Sequence, residues 1–465
     1  MARSKRLNPL DASWLAVDSL DTPMHVGSLL IFSLPDDAGP DFMRRLVTHL
    51  KSTTDFASPW NLKLRSTALR RVLPAWQVDD DIDIDFHVRH SALPAPGGEV
   101  ELGRLVSRLH SRQLDFSRPL WECTIIEGLE NKRFAMYTKM HHSLVDGVSG
   151  MRMLQRVLVT SPGARKQPAP WAARPARVEP AEPAAPEDQA STGGVVNSVM
   201  EMVRKQAQSV PEVGRALARL ANSGDKELTA PFSAPVSMLN GRVSGARRFA
   251  TQQYELKQLK ALAKAGDATL NDVVLWLCST ALRKFLKDSN ALPARSLTAG
   301  IPVNVRPADD QGHGTAISFI MANLATDIAD GRKRLKAITA STASAKDHLQ
   351  SLPRAALTQY TMLVMAPYIL QLLTGLGGRT RPVFNITISN VPGPSETLYF
   401  NGAKLEAMYP VSLLSHGQAI NITCVSYAGS VNFGFTGARD TLPHMQNLAV
   451  YTGEALLELE RILSK

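Results

Sequence analysis

An α/β protein of two domains is what this sequence predicts, on three observations. Its 465 residues exceed what one hydrophobic core organises, so two domains of roughly 150 to 200 residues each are expected. Both halves mix alternating apolar stretches with stretches of helical period. Between them, Ser161 to Gln189 carries seven prolines set among alanines without apolar periodicity, the composition of a linker. The expected domains are therefore 1–160 and 231–465, joined by a Pro/Ala-rich linker and amphipathic helix over 161–230.

Taken in order, the first basic segment, "MARSKRLNPLDASW", lacks the apolar run of a secretory signal, so the chain is expected to be cytoplasmic. In "LGRLVSRLHSRQL", Leu102, Leu105, Val106 and Leu109 fall on one helical face. "WECTIIEGL" and "KRFAMYTKMHH" read as neighbouring strands turning near Glu130 and Asn131. Beyond the prolines, Val195, Val199 and Val203 recur every fourth residue beside Arg204 and Lys205, which suits a core-facing helix or one lying in a membrane interface. "LNDVVLWLCSTALRKFL" reads as a helix, and Met362 to Gly378, interrupted by Pro367 and Gln371, falls short of the roughly 20 apolar residues a membrane span requires. "AINITCVSYAGSVNFGFTGA" reads as a hairpin turning at Ala428, Gly429 and Ser430, and Leu442 to Leu463 as a closing helix.

Composition is globular, with 44% hydrophobic and 20% charged residues. Three distant cysteines, Cys123, Cys278 and Cys424, read as reduced thiols rather than as a disulfide or zinc framework. A net charge of +10 suits an anionic partner: nucleic acid, an anionic membrane surface, or a phosphate-rich small molecule such as coenzyme A. With no zinc-finger, helix-turn-helix or RNP signature, nucleic acid is not expected.

The chemistry concentrates in "HHSLVDG", His141 to Gly147. Alternation along the preceding strand sends the His141 and His142 side chains to opposite faces, so only one can enter any given cleft. Gly147 and Gly150 ease the turn that follows, and Asp146 returns close to the histidines, an arrangement suited to mounting a general base. Three other readings compete: a structural histidine, a metal ligand, and Ser143 as a nucleophile. Adjacent strand histidines diverge and no third His or Cys is spaced to join them in a metal site; Ser143 lacks a GxSxG elbow.

This heptapeptide resembles the HHxxxDG motif of the coenzyme A-dependent acyltransferase superfamily, which includes chloramphenicol acetyltransferases and condensation domains. Further blocks, "LNPLDASWLAVDSLDTPMHVGSLLIF", "DIDFHVRHSALPAPG", "RPLWECTIIEGL", "LNDVVLWLCSTALR", "IPVNVRP" and "NITISNVPGP", are similar to successive blocks of the bacterial wax ester synthase/diacylglycerol acyltransferase family, from about Leu7 to the final helix. The resemblance implies two chloramphenicol-acetyltransferase-like domains of mixed sheets and helices with an active-site tunnel at their interface. It implies acyl-CoA as a substrate, a fatty alcohol or diacylglycerol as acceptor, no bound cofactor or metal, and work at the inner membrane or a lipid-inclusion surface. His142, the second histidine of the motif, would be the base, and Asp146 would order the loop. Where relatives often carry Gly-Asn after "PVNVRP", this chain has Gly314 and Thr315. A condensation-type acyltransferase with another alcohol or amine acceptor, and a non-catalytic lipid-binding protein, are the alternatives.

A hydroxyl attacking a thioester needs a base for its proton and donors for the oxyanion that forms. On "NITISN", Asn385, Thr387 and Ser389 alternate onto one strand face and Asn390 follows, which makes Thr387, Ser389 and Asn390 candidates for those donors. Asn271 is either the cap of its helix or a substrate contact. Asn304 and Arg306 are candidates to anchor Asp146 or a coenzyme A phosphate, and Gly147 shapes the loop.

Overall fold

The computed structural model describes residues 5–7, 9–71, 74–145, 147–173, 229–304, 317–352 and 354–464. The first half runs β1 (Lys5–Arg6), α1 (Pro9–Val17), β2 (His25–Ser33), α2 (Phe42–Lys51), β3 (Leu62–Leu64) and β4 (Ala75–Val78). It continues with α3 (Ile84–His87), β5 (Val88–Ala92), α4 (Glu99–Ser111), β6 (Trp121–Leu129), β7 (Arg133–His141) and α5 (Gly147–Gln155). The second half begins β8 (Arg247–Glu255), α6 (Leu256–Ala265), α7 (Leu270–Asp288), β9 (Thr298–Asn304), β10 (Ile317–Asn323), α8 (Gly331–Gln350) and α9 (Arg354–Thr374). It ends β11 (Ile386–Val391), β12 (Tyr399–Phe400), β13 (Ala403–Val411), β14 (Ile420–Tyr427), β15 (Ser430–Ala438) and α10 (Asn447–Leu463).

Two compact units result. The first takes the described residues up to 173 together with Gly393–Leu413; the second takes 229–392 and everything described from Leu414 onward. In the first, a six-stranded sheet is ordered β12-β13-β2-β7-β6-β5, beside a small sheet ordered β1-β4-β3. In the second, six strands are ordered β10-β9-β11-β14-β15-β8, with β11 parallel to both neighbours. Both units are thus mixed α/β.

The 231–465 stretch expected as one continuous domain is therefore corrected: β12 and β13 belong to the first sheet. β13 pairs antiparallel with β2 from Lys404↔Ser33 to Val411↔Gly27. The reason lies in β2, whose Leu29, Leu30, Ile31 and Phe32 are all buried. A strand buried on both faces has its backbone groups satisfied only by a neighbour on each edge; β7 supplies one and β13 the other.

The expected linker is also shortened. Trp171 is completely buried, stacked on Trp121 with ring centroids 5.3 Å apart, and its Nε1 donates to the Thr53 carbonyl at 2.9 Å. Gln167 and Asn401 exchange two hydrogen bonds, of 3.1 and 2.6 Å. The segment 161–173 is consequently a strap on the first unit; the expected helix from Val195 to Ala207 lies outside the described residues.

Local signals explain several elements. The β14–β15 hairpin closes through Ala428 and Gly429, both at positive φ (41° and 84°), as a two-residue hairpin turn of the type I′ class requires. In α7, Thr269 caps the helix: its Oγ1 accepts the Asp272 N–H at 3.2 Å, while Asp272 accepts the Thr269 N–H at 2.8 Å. Asn271 is thus the second residue of the helix and not its cap. α7 is buried from Asp272 to Leu282, packing against α8 and α10, and each of its buried Leu or Val side chains contributes about 1.5–3 kcal/mol. Pro367 falls inside α9, and among the described residues no helix is long and apolar enough to cross a membrane. All three cysteines are free and buried, and burial pushes the thiols of Cys123 and Cys278 up to about 12.

The aromatic cluster around Trp121 contains one titratable group, His87. Its Nδ1–H donates to the Trp121 carbonyl at 2.7 Å and the ring stacks 4.4 Å from that indole. Burial disfavours the imidazolium and lowers its pKa to about 4 from the usual 6.5. Between those values the unfolded chain binds a proton that the folded one refuses. Stability is therefore intact above pH 6.5 and is expected to fall by ~3 kcal/mol as pH drops toward 4. Urea unfolding at pH 7.5 and 4.5 checks this: His87→Phe is expected to flatten that difference, and an unchanged difference would refute the assignment.

Candidate active site

β7 is a central strand of the first sheet, flanked by β2 and β6, and its last residue is His141, opposite His25. The chain leaves the sheet at His142, turns, and enters α5 at Gly147; Asp146 lies outside the described residues. The two histidines differ in burial. His141 is 1% exposed, whereas His142 is half-buried.

His141 is held through one ring nitrogen and faces a carboxylate with the other. Its Nδ1 receives the Ser143 backbone N–H at 3.2 Å and lies 2.7 Å from Ser143 Oγ. A nitrogen that accepts an N–H carries a lone pair, so the proton of the neutral ring sits on Nε2. That Nε2 faces Asp18 Oδ2 at 3.5 Å, between two side chains that are each 1% exposed. The edge of Phe116 closes the other side.

His142 is placed by the same stretch of chain. Its backbone N–H donates to the Met24 carbonyl at 2.8 Å, and its ring packs on Trp14, with centroids 4.3 Å apart and planes tilted by 30°. Of the two imidazoles, this is the more exposed.

Ser143, His141 and Asp18 bring a hydroxyl, an imidazole and a carboxylate into line, yet they do not make a nucleophilic triad. Ser143 is 4% exposed, and it occupies the ring nitrogen that also takes a local backbone N–H. A nucleophile sealed from substrate cannot form an acyl-enzyme. Among the described residues, no cluster of three or more His, Cys, Asp or Glu side chains is placed to hold a metal ion.

Behind the histidines, β7 carries buried polar groups with structural work. Lys139 Nζ donates to the carbonyls of Leu109 and Arg112 at 3.1 and 2.7 Å, capping the C-terminal end of α4, and pairs with Glu122 at 3.4 Å. Burial lowers its pKa to about 8. His25 lies 2.9 Å from the His110 carbonyl, and His110 Nδ1 lies 2.8 Å from the Tyr137 hydroxyl.

The remaining candidates lie in the second unit. Thr387 and Ser389 share one face of β11 and Asn390 takes the other; all three are half-buried, as is Asn271. Among the described residues, none of these four side chains has a hydrogen-bond partner, which leaves their polar atoms available to a ligand. Asn385, on the same face as Thr387, is different. It is fully buried, its Nδ2 donates to Pro235 O and Asn240 Oδ1 at 2.7 Å each, and its Oδ1 accepts the Thr298 N–H at 2.9 Å. With those atoms engaged it is a structural knot, not a donor for substrate. Asn304 ends β9, and Arg306 and Thr315 lie outside the described residues. The second unit also holds a small recess lined by Phe319, Met321, His348, Leu349, Tyr360 and Val364.

Sequence reasoning missed Asp18, Trp14 and Met24. The available signal was helical spacing, which puts Trp14 and Asp18 on one side of the first helix and its end.

Comparison with known proteins places this geometry. Residues 7–274 match the wax ester synthase/diacylglycerol acyltransferase catalytic domain, and residues 313–460 match the C-terminal domain of the same family. A putative diacylglycerol O-acyltransferase of Mycobacterium tuberculosis is 45% identical, covering 98% of this chain and 97% of its own. The O-acyltransferase WSD of Acinetobacter baylyi is 38% identical over 99% of this chain and 98% of its own. Among solved structures, the wax ester synthase/diacylglycerol acyltransferase of Marinobacter aquaeolei superposes with a TM-score of 0.81 at 37% identity, covering 99% of this chain and all of the other. A condensation domain of the calcium-dependent antibiotic synthetase shares the fold at a TM-score of 0.57 and 16% identity, with 99% and 97% of the two chains covered. With both family domains matched in order along the chain, the protein belongs to the wax ester synthase/diacylglycerol acyltransferase family.

Proposed function

We infer that the protein is an acyl-CoA-dependent O-acyltransferase that moves a long-chain acyl group to a fatty alcohol, giving a wax ester, or to diacylglycerol, giving triacylglycerol. The relatives' names support the reaction class, and the observation that carries the mechanism is the contrast between a sealed His141 and a half-buried His142 resting on Trp14.

Neutral His142 takes the acceptor's hydroxyl proton as the oxygen attacks the thioester carbonyl. The C–O bond forms while the carbonyl electrons move to oxygen; Thr387 and Ser389 on one face of β11, Asn390 on the other, and Asn271 are the candidates from which a donor to that oxyanion is drawn, one such donor being worth roughly 2.7–4 kcal/mol. Collapse breaks the C–S bond, and the imidazolium returns its proton to the departing thiolate. No bond to the protein forms. We further propose that Asp146 and Gly147 serve the loop after the histidines and that Asn304 and Arg306 serve a coenzyme A phosphate. Each buried methylene of the chains contributes roughly 0.8 kcal/mol, which favours apolar surroundings for them. Partly exposed Leu370 and Leu376, followed by exposed Arg379 and Arg381, suit contact with an anionic lipid surface, so we place the protein in the cytoplasm, peripherally at the inner membrane or on lipid inclusions.

The test is direct. Purified protein given palmitoyl-CoA with hexadecanol or with a diacylglycerol is expected to release thiol in step with ester, and thiol release without ester from either acceptor would contradict the reading.

A further inference from the structure

We propose that Asp18 is a positioning residue for the transfer reaction, acting on His142 through two separate connections. The inference rests on His142 being the base.

The first connection is His141. Asp18 Oδ2 stands 3.5 Å from His141 Nε2, an ion-pair separation and not a hydrogen bond, and among the described residues that buried nitrogen has no hydrogen-bond partner. The Ser143 N–H already leaves the ring proton to Nε2, and the carboxylate facing that nitrogen favours the same tautomer and orients the ring. His142 is the next residue, so its backbone starts from an anchored strand end.

The second connection is Met24. Asp18 Oδ2 accepts the Met24 N–H at 2.6 Å, and the Met24 carbonyl accepts the His142 N–H at 2.8 Å. One residue thus ties the carboxylate to the backbone of the base. The intervening turn is stiffened by its own bonds: Ser19 Oγ lies 2.8 Å from Thr22 Oγ1 and accepts the Thr22 N–H at 3.1 Å. The second carboxylate oxygen is held by the Gln113 side-chain amide, and the Arg71 guanidinium donates to the Asp18 carbonyl at 3.3 Å. Every oxygen of Asp18 is therefore spoken for, and the side chain is 1% exposed. It never meets substrate; its effect is on where the base stands.

Asp18→Asn keeps the shape and removes the charge. A misplacement of about 1 Å at a reacting group costs on the order of 100-fold, so kcat is expected to fall by about that factor with KM for palmitoyl-CoA unchanged. Imidazole ¹⁵N spectra of the full-length protein supply a readout that a merely structural role would not move. In the wild type, the His141 signal, assigned by its loss in His141→Gln, is expected to be the tautomer protonated on Nε2. In Asp18→Asn it is expected to become a mixture of tautomers.

Unaltered kcat in a folded Asp18→Asn protein, a loss confined to KM, or a wild-type His141 protonated on Nδ1 would each overturn the proposal. Should Asp18→Asn fail to fold, Asp18→Glu, which keeps the charge but displaces the carboxylate, takes its place, and unaltered kcat in that variant overturns the proposal. If the wild type transfers no acyl group to either acceptor, the functional reading fails instead, and the His141 spectrum continues to report on the Asp18 pairing alone.

Discussion

Replacing His142 with alanine is expected to lower kcat by roughly 10²- to 10⁴-fold, the usual contribution of a positioned general base, with little change in stability. Both halves of that expectation come from its surroundings. The ring is half-buried on Trp14, so truncation opens a gap at the surface of the fold and not in its core. The backbone N–H that holds the residue to Met24 survives the substitution. Thiol release with palmitoyl-CoA and hexadecanol gives the rate, and circular dichroism with thermal unfolding gives the fold. An alanine variant with wild-type kcat would remove His142 from the reaction.

Trp171→Ala is expected to cost about 3–5 kcal/mol of stability, read as a lowered urea midpoint in the full-length protein. The indole is completely buried, stacked on Trp121, whose ring in turn meets Trp60 edge-on at 5.1 Å. Truncation leaves a cavity among rigid aromatic neighbours that cannot collapse to fill it, and it strands the Thr53 carbonyl that the indole N–H satisfies. Were 161–173 a free tether, the same substitution would shift stability by no more than about 0.5 kcal/mol.

The contrast between these residues marks what the sequence could reveal. The hairpin at Ala428 and Gly429, the β6–β7 pair and helix α7 follow from signals confined to a few neighbouring residues, and the structure carries all of them. The unequal burial of His141 and His142 is in keeping with the alternation expected at the strand end. Long-range partners were not legible. Prolines around Trp171 speak for an extended chain, but nothing local announces that Thr53 and Trp121 wait to receive it. β13 has the pattern of any half-buried strand, and only the unsatisfied edge of β2 explains where it goes. Asn385 and Thr387 look alike as strand residues on one face. What separates them is Asn240 and Thr298 packed against the first and no protein partner described for the second. Asp18 escaped notice for the same reason, since its importance lies in meeting His141 across the end of the sheet.

Direct transfer through His142 implies that the protein never carries the acyl group. Intact mass and thiol release, followed after mixing the protein with palmitoyl-CoA and no acceptor, test this most plainly. The expected result is an unchanged mass and no thiol until hexadecanol or diacylglycerol is added, whereupon thiol and ester rise together. A palmitoyl adduct on the protein that forms before acceptor arrives, and is consumed by it, would contradict the mechanism.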